Sequence, residues 1–262
     1  MFLRADDLTV HVQQAGPRAA PCVLLLHSLG TNLHVWDAQA SALAGDFHII
    51  RADLRGHGLT ATTPGPTTMQ RLAADMLAVL DALGIATAHI GGVSIGGMVA
   101  QAMAAAAPTR ITSLMLCDTA LAIPPASLWH DRAAAVRAQG MAAIADAVLA
   151  RWVTPAFLDT PTAAGMRAML LTTTPEGYAA AAEALATADL TQSTKSLRQP
   201  TLVLVGAEDL ATPLDAAKAL VAAIPGARLA VIAGAAHIPM LEQADAVTMA
   251  MRGFLGEVGE RR

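Results

Sequence analysis

Residues 88–97, Ala88-His89-Ile90-Gly91-Gly92-Val93-Ser94-Ile95-Gly96-Gly97, decide how the rest of the chain is read. Ala88 to Val93 is a short apolar run with the texture of a buried strand. Ile95 to Ala107 is an alanine-rich stretch with the texture of a buried helix. At the junction Gly92 to Gly96 spells G-x-S-x-G, which puts Ser94 at the apex of a sharp strand-to-helix turn. Such a turn forces the serine into a strained backbone conformation. Side chains two residues to either side would collide, so glycine is needed at both places. The turn lifts the hydroxyl clear of the sheet, and the free N–H groups of the following helix point toward any negative charge that develops there. Ser94 is therefore the candidate nucleophile. The plainer alternative, a glycine-rich turn with an incidental serine, leaves this placement between strand and helix unexplained.

Outward from this turn, strands and helices alternate. Leu8 to Gln13 alternates like a hairpin strand. Cys22–His27, Phe47–Asp53, Leu114–Asp118, Leu202–Gly206 and Leu229–Ile232 read as short apolar strands. Helical periodicity runs over Val35–Leu43, Met69–Leu83, Pro213–Ile224 and Ala244–Val258. Alternation of this kind predicts an α/β fold with a mostly parallel central sheet and helices on both faces. Between Ala120 and about Ser196 no strand pattern occurs. Helical stretches at Leu128–Gln139, Met141–Val153, Thr162–Leu171 and Glu176–Ala186 are punctuated by Pro124-Pro125, Pro155, Pro161 and Pro175. This predicts a core of residues 1–120 and 197–262 with a helical cap, 121–196, inserted between core strands.

Composition narrows the class. The chain has 262 residues, of which 54% are hydrophobic and 15% charged, so intrinsic disorder is excluded. The net charge of −4 argues against nucleic acid or an anionic membrane surface as partner. The longest stretch free of Asp, Glu, Lys and Arg, Ala82 to Thr109, is long enough to span a bilayer. It contains His89, two glycine pairs and Gln101, and changes character midway, so it reads as strand, turn and helix. Asp6 and Asp7 precede any apolar segment of a signal peptide. Cys22 and Cys117 each sit in an apolar run and read as reduced core residues. Together these predict a cytoplasmic protein. Self-association into a homo-oligomer is left open.

A serine hydroxyl needs a base. His237, in Gly234-Ala235-Ala236-His237, lies just past the last strand. Asp209, in Gly206-Ala207-Glu208-Asp209, lies just past the one before. The chain order Ser94, Asp209, His237 places all three at the carboxyl edge of a doubly wound sheet. Glu208 and Asp118, the latter also at a strand end, are rival acids. His27-Ser28-Leu29-Gly30 follows an early strand, where an oxyanion loop belongs, so the backbone N–H groups of Leu29 and Ile95 are the candidate donors. Ser28 is the competing serine, and it lacks the flanking glycine pattern and a following helix start. The glycine pairs form neither G-x-G-x-x-G nor a lysine-bearing phosphate loop. The scattered histidines form no metal-ligand pattern, and His11, His48 and His89 read as structural. No metal is predicted.

Taken together, these residues resemble the α/β-hydrolase superfamily over nearly the whole chain, including Asp53-Leu54-Arg55-Gly56-His57-Gly58, which looks like its D-x-R-G-x-G turn. That resemblance implies a helical cap after the sixth strand. Within the superfamily the chain is most similar to the 3-oxoadipate enol-lactonases. The similarity is carried by His27-Ser28-Leu29-Gly30-Thr31-Asn32 with Trp36, by Cys117-Asp118-Thr119-Ala120, and by Trp129 with Arg132. Further on it is carried by Ala145-Asp146-Ala147-Val148-Leu149 with Arg151-Trp152, by Glu176-Gly177-Tyr178 and by Asp209-Leu210-Ala211-Thr212-Pro213. At Asp118, asparagine is expected in close relatives. The resemblance implies Ser94, Asp209 and His237 as nucleophile, acid and base. It also implies cofactor-free hydrolysis of a small lactone bearing a carboxylate. Trp129, Arg132 and Trp152 are the candidate substrate-binding residues, Arg132 as the carboxylate's partner. A general carboxylesterase or a cofactor-free haloperoxidase-like perhydrolase shares every catalytic residue named, and ligand-binding receptors also occur on this fold.

Overall fold

The structure, a computed structural model, describes residues 1–63 and 65–260. Eight strands form one sheet: β1 (Phe2–Ala5), β2 (Leu8–Ala15), β3 (Cys22–Leu26), β4 (His48–Ala52), β5 (Ala88–Val93), β6 (Ile111–Cys117), β7 (Thr201–Gly206) and β8 (Arg228–Ile232). Their order is β1-β2-β4-β3-β5-β6-β7-β8. β1 and β2 pair antiparallel, as do β2 and β4, and every pairing from β4 to β8 is parallel. β3, β5, β6 and β7 are buried along their whole length, which is why they read as unbroken apolar runs. β8 has the same sequence texture but is an edge strand. Only Ile232 of it is buried, and Val231 is 48% exposed. The sequence reading missed β1, whose four residues are too few to show a period; it is held by its pairing with β2.

The α-helices before β6 are α1 (Asp37–Leu43), α2 (Met69–Ala82) and α3 (Ile95–Ala106). Between β6 and β7 come α4 (Ala126–Gln139), α5 (Ala145–Trp152), α6 (Pro161–Thr172), α7 (Pro175–Thr187) and α8 (Thr191–Thr194), with no strand among them. α9 (Leu214–Ala223), α10 (Pro239–Glu242) and α11 (Ala244–Glu260) complete the chain. The helix read over Met141–Val153 is interrupted: Met141–Ala143 is a 3-10 turn and α5 begins at Ala145. Two of the punctuating prolines start helices. In Thr160-Pro161 and Thr174-Pro175 the threonine side chain accepts the N–H of Ala163 or Gly177, and the proline supplies a first residue that needs no donor.

The chain passes from β3 out to β4, then returns to the other side of β3 to form β5. The loops after β3 and β5 therefore diverge, leaving a crevice at the carboxyl ends of these strands. The D-x-R-G-x-G turn supports one wall. Asp53 accepts N–H bonds from Leu33 (2.8 Å) and Leu59 (3.0 Å) and pairs with His11 Nδ1 at 2.8 Å. Arg55 forms a buried pair with Asp75 of α2. α7 reaches this wall through two glycines: a Cβ on Gly177 would lie 2.1 Å from the Gly56 carbonyl oxygen.

Candidate active site

Ser94 caps α3 with φ 57° and ψ −120°, the strained apex that the motif anticipates. A Cβ on Gly92 would meet the Gly96 carbonyl oxygen at 2.3 Å, and one on Gly96 would meet the Leu26 oxygen at 2.5 Å. Both glycines are thus sterically required. The turn is tied to β6 by Ser94 N–H donating to the Cys117 oxygen (3.0 Å), and Thr119 Oγ1 donates to the Ser94 oxygen at 2.7 Å.

His237 and Asp209 come from loops after β8 and β7. Gly206 brings those loops together, since a Cβ there would lie 1.9 Å from the Ala236 oxygen. His237 Nδ1 donates to Asp209 Oδ2 at 2.9 Å, and both residues are buried. Asp209 also accepts N–H bonds from Ala211 (2.7 Å) and Thr212 (3.2 Å), and the Thr212 hydroxyl at 2.7 Å. Burial alone would raise its pKa. The His237 charge and the bonds from His237, Thr212 and Ala211 outweigh burial and hold the carboxyl well below the usual range. With Nδ1 engaged, Nε2 is the ring nitrogen left to exchange a proton.

Of the rival acids, Glu208 is exposed, and Asp118 is buried with Oδ1 accepting the Gly206 N–H at 2.8 Å. Only Asp209, among the three, is hydrogen-bonded to the imidazole. The donor atoms of Asp118, Asp209 and His237 gather within 4.8 Å. The oxygens of Asp209 accept N–H and O–H donors, which suits an acid–base pair better than a cation shell.

The loop after β3 is fixed by His27, whose Nδ1 donates to the Ser28 oxygen (2.7 Å) and whose Nε2 accepts the Leu54 N–H (2.8 Å). Leu29 lines one cavity with Ser94 and His237. Ile95 is the first residue of α3, so its N–H has no partner within the helix. Ser28 lines the same cavity.

The opposite wall comes from the helices between β6 and β7. Trp129, Arg132 and Trp152 all face this cavity, and neither Lys195 nor Lys218 does. Trp129 is anchored by its indole N–H to the Ile123 oxygen at 2.6 Å. The Arg132 guanidinium lies 5.2 Å from the Trp129 ring centre, and its charge acts on the buried Tyr178 hydroxyl. Arg151 lines the cavity too, and so do Tyr178, Thr212 and Val148, which were not named from sequence as site residues. Thr212 carried a signal, because Asp209-x-x-Thr212 forms an Asx turn in which the hydroxyl reaches back to the carboxylate. A further tie is Glu242, which accepts the N–H and hydroxyl of Thr154 at the end of α5 and the Ala236 N–H beside His237.

The family profile described as alpha/beta hydrolase fold matches residues 21–244. The chain is 34% identical to 3-oxoadipate enol-lactonase 2 of Acinetobacter baylyi, over 97% of this chain and 95% of that one. It also resembles the crystal structure of the enol-lactonase from Burkholderia xenovorans, with a TM-score of 0.95 and 37% identity, covering 98% of this chain and 100% of the other. A malate-bound thermophilic esterase from Thermogutta terrifontis superposes with a TM-score of 0.91 at 33% identity, over 96% and 94% of the two chains. The chain belongs to the alpha/beta hydrolase fold family. It is a hydrolase that acts on ester bonds. Among the described residues no helix is long and apolar enough to cross a membrane.

Proposed function

We propose that this protein opens a small, carboxylate-bearing enol-lactone, 3-oxoadipate enol-lactone, to the open-chain keto acid through an acyl-enzyme on Ser94. The observation that carries this reading is a single cavity lined by Ser94, His237 and the guanidinium of Arg132, with two indole walls. In this reading residues 121–196 form the cap that supplies specificity. Ser94 Oγ attacks the lactone carbonyl as His237 Nε2 takes its proton, and Asp209 stabilises the imidazolium through Nδ1. The N–H groups of Leu29 and Ile95 donate to the oxyanion. The ring C–O bond breaks, the leaving enol oxygen receives the proton from His237, and the enol tautomerises to a ketone. Water, deprotonated by the same imidazole, then releases the acid and regenerates Ser94. The similarity to enol-lactonases over nearly the full length supports this substrate class.

A selective site for a lactone with a carboxylate arm needs a cation or several N–H donors, and the planar fork of arginine can bind a carboxylate bidentately. The Arg132→Ala variant is therefore expected to raise KM for the carboxylate-bearing lactone about ten-fold or more, the loss of roughly 1.5–3 kcal/mol expected for a charged hydrogen bond. Steady-state kinetics on a neutral p-nitrophenyl ester should barely change. Equal losses on both substrates would indicate a destabilised cap. No loss on either would move the carboxylate site to backbone donors or to Arg151, which also lines the cavity and donates to the Leu210 oxygen at 2.8 Å.

A further inference from the structure

Asp118 follows β6 with φ +41°, in the left-handed region that residues other than glycine seldom occupy. Its side chain is enclosed. Oδ1 accepts the Gly206 N–H at 2.8 Å, and Oδ2 is buried with no donor directed at it. An ionised carboxylate offers about four acceptor sites, and here a single N–H serves them. The neighbouring Asp209 receives four donors, from Ala211, from Thr212 twice and from His237. The two carboxyls converge with His237 within 4.8 Å. Two anions this close in a buried pocket cannot both keep their charge cheaply, so the proton settles on the one with fewer donors.

We propose that Asp118 carries a proton on Oδ2 and works as a neutral carboxylic acid that donates a hydrogen bond to the Asp209 carboxylate. It is thereby a positioning residue that keeps Asp209 ionised and directed at His237. The inference rests on reading Asp209 and His237 as acid and base. The ionisable groups facing Asp118 are Asp209 from the loop after β7, His237 from the loop after β8, Glu242 from α10 and the adjacent Cys117 thiol. Burial, then the charge of Asp209 and more weakly that of Glu242, push the Asp118 carboxyl well above its usual range, against the pull of the Gly206 N–H.

A group that binds its proton more tightly when folded loses stability as pH rises from its unfolded value, about 4, toward its folded value. Asparagine at this position keeps a donor and an acceptor but does not titrate. Thermal unfolding of wild type and Asp118→Asn between about pH 4 and pH 8 should show near-equal midpoints at the acid end. The variant should gain a few degrees by the alkaline end. A difference that does not change with pH overturns the proposal. In the unaltered protein, 13C NMR of labelled aspartate should show one carboxyl at the protonated position near pH 7, and all aspartates ionised would contradict it.

The positioning role is read separately. The acid limb of the kcat/KM profile should stay within about 0.2 pH unit in Asp118→Asn, since one neutral donor replaces another. A downward shift of about half a unit or more would mean that an anion had been removed beside His237. Asp118→Ala should lower kcat about ten-fold, and Asp118→Asn should restore it; equal activity of the two variants contradicts positioning. The unfolding and NMR results stand whether or not Asp209 serves catalysis, so failure here is distinguishable from failure of the proposed function.

Discussion

Ser94→Ala is expected to lower kcat by about a million-fold while leaving the fold intact, as in other serine hydrolases. The turn that holds Ser94 is built by its neighbours. Gly92 and Gly96 supply the clearance, and the Ser94 backbone, not its hydroxyl, makes the bonds to Cys117 and Thr119. Alanine keeps that backbone and removes only the oxygen. The loss then falls wholly on chemistry, because no other group in the mechanism forms the acyl bond. Circular dichroism and thermal unfolding should match wild type while turnover disappears. Retention of a tenth of the activity would return attention to Ser28, which lines the same cavity.

Asp209→Asn is expected to cost about ten thousand-fold in kcat, the penalty of leaving the histidine in the wrong tautomer. An asparagine amide facing Nδ1 would donate to it, so the ring proton would move to Nε2 and the base would be lost. The negative charge that stabilises the imidazolium would vanish as well. Asp118→Asn should cost far less, because Asp118 contributes no hydrogen bond to the imidazole. The reverse ranking would place the acid on β6. The depressed pKa of Asp209 also contributes stability above about pH 4 that is lost as pH falls through its lower folded value. Acid unfolding of Asp209→Asn should accordingly be less steep than that of wild type.

The sheet was legible because its central strands are buried on both faces and leave unbroken apolar runs. β1 was not, because four residues carry no period, and the edge position of β8 was not legible because an edge strand can be just as apolar as a central one. The positions of Ser94, Asp209 and His237 were readable from turn glycines and strand ends. The cavity wall was only half readable. Trp129 and Arg132 share a helix face three residues apart, so their meeting follows from helical spacing. Tyr178 reaches the same cavity from α7, and its approach depends on the contact between Gly177 and Gly56, which joins positions far apart in sequence. Glu242 was invisible for the same reason, since its three donors come from two other loops.

In the proposed function the Ser94 nucleophile and the Arg132 guanidinium act together on one carboxylate-bearing lactone. The most direct measurement is kcat/KM of the wild type on the enol-lactone beside a neutral p-nitrophenyl ester, with Ser94→Ala as control. A preference for the lactone of about a hundred-fold or more is expected, with loss of both activities in the control, because the charged arm adds binding that the neutral ester lacks. Equal or better turnover of the neutral ester would contradict it.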